Sequence, residues 1–279
     1  MPELPEVETT RRGLHPHLVG RIIIEAQIHP GFERLCLNSD VNELTSRLIG
    51  QKIIDTHRYG KYLIFFLSSG DSFIVHLRMT GALVLREPSQ PAGKYERARL
   101  SLNSVTSSVF EIISFEDVRR FGTWNVVNHF QDGLAPHIGP DALSPNFTPD
   151  MLMSVLRRKT STIKSVLLDQ STVAGLGNIY VDEICFMAGI DPRKRSDTIN
   201  KKKNEELFVA IQDTLNKALE QGGSSFSDYV NAHGAPGGAL DHCNVYGRDG
   251  MNCHRCSHTI KKIKVVGRGT HYCPKCQHQ

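Results

Sequence analysis

Residues 253–276 read CHRCSHTIKKIKVVGRGTHYCPKC, two Cys-x2-Cys knuckles with sixteen residues between them. Four thiolates so spaced form the closed tetrahedral shell of a structural zinc ion; an iron–sulfur centre is the alternative. Ile260, Ile263, Val265 and Val266, set among lysines and followed by Gly267, give the intervening stretch the pattern of a β-hairpin. With so few apolar residues the hairpin cannot hold itself together, so the metal's binding energy is its folding energy. His254, His258 and His271 lie alongside as rival ligands or as surface residues.

The same end of the chain is basic. Residues 151–279 carry 18 Lys+Arg against 12 Asp+Glu, whereas 1–150 carry 15 against 17, and Val245–Gln279 alone holds seven basic residues and one acid. A basic module at one end is either an electrostatic footprint for a polyanion or a solvated, solubilising tail. The other cysteines, Cys36, Cys185 and Cys243, are scattered, and an odd total of seven argues against a secreted disulfide framework. Apolar runs such as Ile22–Ile24 and Leu63–Leu67 are far too short for a signal peptide or a membrane span, which predicts an intracellular, cytoplasmic protein.

At the opposite end stands MPELPE, residues 1–6. Loss of Met1 leaves Pro2 with a free secondary amine. A terminal amine has a reference pKa of about 7.7–8.0 against about 10.4 for lysine, so near neutrality far more of it is unprotonated. A secondary amine attacking an aldehyde-like carbon gives a charged iminium directly, the electron sink of Schiff-base chemistry. The same residues also suit a plain helix start, with proline presetting φ and Glu3, Glu6 and Glu8 favoured at the positive end of the dipole.

The spacing predicts a helix from Pro5 to Val19 and then strands over 21–28, 52–59, 62–67, 72–78, 82–86, 97–102, 109–114 and 123–127, an all-β sandwich or barrel with one helix packed on it. Two glycines and four prolines within 131–150 mark a linker. Helices follow over 151–158, 163–168, 179–188 and 204–221, the last with Leu207, Ile211, Leu215 and Leu219 at a four-residue spacing before Gly222 and Gly223. Between 224 and 250 the chain is glycine-rich and loose.

Taken together, the motifs resemble the formamidopyrimidine-DNA glycosylase (MutM) family over essentially the whole chain. The resemblance rests on MPELPEVET at 1–9, GKYL at 60–63, HLRMTG at 76–81, DVRRFGTW at 117–124, AGLGNIYVDE at 174–183, VYGR at 245–248 and GRGTHYCPKC at 267–276. It implies an α+β multidomain fold: a catalytic N-terminal β-sandwich with a packed helix (1–132), a linker (133–150), a helix-two-turn-helix DNA-binding domain (151–233), a flexible loop (234–244) and a zinc-finger β-hairpin (245–279). It further implies a bacterial, monomeric repair enzyme that excises oxidised purines from duplex DNA and then cuts the strand, with one structural zinc and no organic cofactor.

By that similarity Pro2 attacks the sugar C1′, Glu3 shuttles protons at the sugar, Lys61 is the proton donor of β-elimination and Arg268 that of δ-elimination. Met79, Arg119 and Phe121 match the family's void-filling triad, as expected when a flipped base leaves a hole in the stack. Asn178 resembles the helix-two-turn-helix phosphate contact, and Arg158 and Tyr95 further backbone contacts. The zinc ligands are Cys253, Cys256, Cys273 and Cys276. The loop near 233–241 resembles the family's cover over the flipped base. The chain departs from the family pattern at Lys94-Tyr95-Glu96-Arg97, where a histidine pair is usual. Two rival readings remain: an endonuclease VIII-like enzyme for oxidised pyrimidines, and a zinc-ribbon protein that binds DNA without chemistry.

Overall fold

A computed structural model describes residues 1–105, 108–223, 230–235 and 242–278. They fall into two units, Met1–Ala135 with Gly222–Gly237, and Pro136–Gln221 with Gly238–Gln279. The chain therefore returns to the first unit after Gly222, whereas the sequence expectation runs the helical domain on to 233. Ala232 explains the return: it is fully buried in the first unit's apolar core, and its carbonyl accepts the Leu85 N–H at 2.8 Å.

The first unit begins with helix α1, Leu4–Leu18, whose Leu4, Val7, Leu14 and Leu18 are all completely buried. Two four-stranded sheets follow. One contains β1 (Ile23–Ile28), β6 (Glu96–Leu102), β7 (Ile112–Asp117) and β5 (Gly81–Arg86) in that order; the other contains β2 (Ile53–Tyr59), β3 (Tyr62–Leu67), β4 (Ser72–His76) and β8 (Thr123–Val127). Every pairing is antiparallel. Trp124 on β8, fully buried, joins the two sheets: its ring meets Phe73 of β4 at 5.0 Å and Phe115 of β7 at 5.8 Å. Such T-shaped aromatic pairs add directional attraction to the burial of apolar area.

Helix α2, Val41–Leu48, lies in an interval to which the sequence reading assigns no element. It starts where Asp40 accepts the Glu43 N–H at 2.8 Å, and it buries Leu44 and Leu48, one turn apart, in the core.

The second unit holds α3 (Pro149–Arg158), α4 (Ile163–Leu168), α5 (Asn178–Met187) and α6 (Lys201–Glu220). Side chains of Thr148, Thr162 and Asn200 accept backbone N–H groups at the starts of α3, α4 and α6. Leu207, Ile211 and Leu215 are fully buried, as their four-residue spacing demands. The chain ends in the hairpin of β9 (Lys261–Val265) and β10 (Arg268–Tyr272), turned at Val266 and Gly267, both at positive φ. Residues 236–241, the greater part of the expected flexible loop, lie outside the described residues. Among the described residues no helix is long and apolar enough to cross a membrane.

Candidate active site

In the first unit Pro2 is buried, and Glu3 beside it is only 2 % exposed. Glu3 is the N-cap of α1 and forms a capping box with Glu6, whose carboxylate accepts the Glu3 N–H at 2.7 Å. The helix-start reading of MPELPE holds: the hexapeptide starts α1, and that start fixes the backbone next to Pro2. One turn on, Glu8 is gripped by Arg11 and Arg12 at 2.8 Å. Burial pushes the Glu8 carboxyl up, but hydrogen bonds and charge from Arg11, Arg12 and Arg58 outweigh it and leave the pKa at about 2.

Lys61 sits in the two-residue turn between β2 and β3, after Gly60 at φ +56°, and is 5 % exposed. Helix α1 packs on β2 and β3, so the expected catalytic residues of this unit occupy neighbouring elements. A residue to which the sequence reading assigns no role stands nearby. His76 on β4 faces Tyr62, with ring centroids 4.6 Å apart, and its Nδ1 accepts the Arg78 N–H at 3.0 Å. Burial, then the charges of Arg78 and Lys61, lower its pKa to about 3, so the ring is neutral near pH 7. The HLRMTG motif contains this histidine, but only its burial reveals its state.

An unfolded histidine titrates at about 6.5, so the unfolded chain binds more protons as pH falls from there. Stability should be fully present above about pH 6.5 and decline as pH drops through the folded value of about 3. Urea denaturation of His76→Gln should show a flatter pH dependence between pH 4 and 7 than the parent; equal slopes would refute the assignment.

Met79 is half-buried, Arg119 is exposed, and Phe121 is 52 % exposed, an unusual position for a ring unless it has work at the surface. The loops bearing them are tied together. The Thr80 hydroxyl donates to Asp117 and accepts the Arg119 N–H at 3.0 Å, while Asp117 takes the N–H groups of Phe121 and Gly122 at 2.8 Å each. The Arg119 guanidinium lies 5.0 Å from the Phe121 ring. Tyr95, 37 % exposed, precedes β6 with Lys94 and Arg97 near its ring.

In the second unit Arg158 ends α3, exposed to solvent, and Arg268 is exposed at the hairpin tip. Asn178 opens α5, with Gly177 as the cap. Its side-chain NH2 donates to the Gly269 carbonyl at 3.1 Å, so it is spent on the strand that carries Arg268. The same carbonyl accepts Lys164 Nζ at 3.2 Å. Lys164 is fully buried and paired with the fully buried Asp182 at 2.6 Å; Asp182 also accepts the His271 N–H at 2.8 Å. This pairing fastens α4 and α5 to β10. Glu183 accepts the N–H groups of Asn244, Val245 and Tyr246, all at 2.8 Å, and so sets the entry to the hairpin.

The sulfurs of Cys253, Cys256, Cys273 and Cys276 all lie within 4.8 Å of one another. A Zn–S bond of about 2.3 Å requires tetrahedral sulfurs roughly 3.8 Å apart. The observed 3.9 Å for Cys253–Cys276 and 3.5 Å for Cys256–Cys273 fit that geometry. So compact a set has room for a single ion, and the four cysteines form one structural zinc site; among the described residues His254, His258 and His271 are not in the cluster. The buried residues around it are few: Phe186, Val245, Cys253, Ile260 and Cys273.

Three family models match in succession: the formamidopyrimidine-DNA glycosylase N-terminal domain over residues 1–124, the formamidopyrimidine-DNA glycosylase H2TH domain over 138–230, and a zinc finger found in FPG and IleRS over 252–279. A formamidopyrimidine-DNA glycosylase of Carboxydothermus hydrogenoformans is 38 % identical over 277 residues, covering 99 % of this chain and all of the relative. One of Lactococcus lactis is 39 % identical over 282 residues, covering 99 % of each. Among solved structures, a mutant Lactococcus lactis FPG in complex with Fapy-dG containing DNA superposes with a TM-score of 0.90 at 38 % identity, over the whole of both chains. MutM in complex with carbocyclic 8-oxo-G containing DNA does so with a TM-score of 0.89 at 37 % identity, again over both chains entire. With three domain models in the order its elements run and full-length relatives well above a third identical, this chain belongs to the formamidopyrimidine-DNA glycosylase family.

Proposed function

We propose that the protein is a bifunctional base-excision-repair enzyme: an N-glycosylase that removes 8-oxoguanine and formamidopyrimidines from duplex DNA, and an AP lyase that then cuts the strand by β,δ-elimination. The observation that carries this reading is the buried Pro2–Glu3 start of α1, packed against the β2–β3 pair whose turn holds Lys61, in a chain whose full-length relatives are bound to such lesions.

The chemistry divides among these residues. After Met1 is removed, the Pro2 nitrogen bonds to C1′ as the bond from C1′ to the base breaks, the base leaving with the electron pair. Glu3 delivers a proton to the sugar ring oxygen, and ring opening leaves a Pro2 iminium. Loss of a C2′ proton expels the 3′ phosphate, with Lys61 as donor; a second elimination expels the 5′ phosphate, with Arg268 as donor, leaving a one-nucleotide gap with phosphate ends. Met79 and Phe121 fill the vacated stack and Arg119 addresses the orphaned base. Asn178, Arg158 and Tyr95 engage the backbone, the amide of Asn178 by orienting the hairpin strand as well as by helix-start N–H groups. The β-sandwich, residues 1–132, supplies Pro2, Glu3 and Lys61, the helices of 151–221 hold the duplex, and the hairpin of 245–279 holds it as well and brings Arg268. The enzyme works as a monomer in a bacterial cytoplasm.

Borohydride reduction of the protein on an oligonucleotide duplex with one 8-oxoguanine opposite cytosine should give a covalent adduct. No adduct, or a better one on thymine glycol, would defeat the purine reading. Arg268→Ala should slow the second elimination by about tenfold or more while leaving the first nearly intact, so that gels show the β-product accumulating. Equal loss of both products would mean the arginine serves binding alone.

A further inference from the structure

Half of the first unit's arginines are ion-paired, as Arg47 is to Asp71 and Arg86 to Glu116. Arg34, Arg97, Arg119 and Arg120 are different: among the described residues no ion pair engages any of them, yet all four line one cavity of about 230 Å³. Phe32 is its centre. Arg97 lies 4.5 Å and Arg120 5.0 Å from that ring's centroid. Burial first, and then the like charge of Arg120, hold the Arg97 pKa below its ordinary value. The carboxylate on the cavity wall, Asp117, is already spent on Thr80 and on backbone N–H groups of Arg119, Phe121 and Gly122. Four guanidiniums against this one carboxylate leave the cavity net positive.

The cavity is also built in advance. Asp117 holds residues 119–122 from within, Arg120 is kept at φ +61°, and a Cβ on Gly122 would stand 2.3 Å from Phe115, so this loop has no slack. Arg97 Nε donates to the Asp117 carbonyl at 2.7 Å, which holds that guanidinium in place; a guanidinium laid on an aromatic ring still presents its outer N–H groups to a phosphate, and a preordered site loses little entropy on binding. Arg119 and Phe121, the proposed wedge, form part of the same wall. A cleft that shares its wall with the group addressing the orphaned base opens on that base's own strand.

We propose that the cleft around Phe32 seats the phosphodiester backbone of the undamaged strand beside the orphaned base, with Arg34 and Arg120 as outer contacts and Arg97 as the inner one. This rests on the reading of the protein as a glycosylase acting on damaged duplex. None of Phe32, Arg34, Arg97 and Arg120 is needed for the covalent steps.

The test compares the full-length, zinc-loaded protein with an Arg34→Gln/Arg120→Gln variant, both side chains being exposed. On an 8-oxoguanine duplex the variant should bind about tenfold more weakly, with a salt slope shallower by roughly 1.8, the value for two lost phosphate contacts. Binding to the lesion-bearing single strand should be unchanged, as should the thermal melting of the protein. Neutral methylphosphonate linkages beside the orphaned base, in the undamaged strand only, should weaken the parent several-fold more than the variant, which retains only the Arg97 contact. A variant with the parent's affinity and slope overturns the proposal, as does a loss matched by neutral linkages in the damaged strand instead. Borohydride trapping of the parent is run alongside. If it fails, the glycosylase reading falls and this one with it; if it succeeds while the linkages show no matching, only the cleft assignment falls.

Discussion

Pro2→Gly should yield a protein that folds normally but gives almost no borohydride-trapped adduct, and that nicks 8-oxoguanine or abasic duplex slower by two to three orders of magnitude, in round terms ~500-fold. Glycine at this position still permits removal of Met1, so the variant keeps a terminal amine. It loses two properties of proline. A secondary amine yields an iminium that is charged without further protonation, and the pyrrolidine ring fixes φ, which aims the nitrogen. The fold should be indifferent, because Pro2 precedes α1 and the anchoring Leu4 and Val7 remain buried. The experiment is paired with mass spectrometry. Full activity in a preparation that still carries Met1, or a glycine variant trapping as well as the parent, would remove Pro2 from the nucleophile's role.

Cys253→Ser, or chelation of the metal, should unfold the hairpin outright. Five buried residues form the local cluster, two of them ligands, and metal binding in such small sites is worth about 10 kcal/mol or more. Loss of the hairpin removes Arg268 and most of the basic C-terminal charge, so affinity for duplex should fall by about a hundredfold at physiological salt. Trp124 gives an internal control. It is the protein's single tryptophan and is fully buried in the first unit's core, so its fluorescence should report that unit as still folded. Zinc should be recovered at one mole per mole from the parent and be absent from the variant. Undiminished affinity in a zinc-free protein would overturn the structural role of the site.

What lay open in the amino-acid order was whatever depends on near neighbours along the chain. The ligand spacing of residues 253–276, the leucine repeat of α6 and the short β-branched and aromatic runs of β2 to β4 all became the elements they predict. Departures occur where a distant contact intervenes. The strand expected at 109–114 runs instead over Ile112–Asp117, since Val109 is 64 % exposed while Asp117 is buried to tie two loops together. An aspartate at a strand's end carries no strand signal; only the loop whose N–H groups Asp117 accepts explains it. Helix α2 was missed for the converse reason, its signal being one cap and two leucines within eight residues.

The sequence by itself determined the metal site and the order of the domains, because these follow from residue type and spacing along the chain. Only the tertiary structure decided that His76 is neutral, that Asn178 is committed to Gly269, and that four arginines unpaired with any carboxylate share one cleft around Phe32. Those outcomes depend on how much water each group loses and which charges face it, and desolvation and Coulomb energy are set by neighbours tens of residues away along the chain.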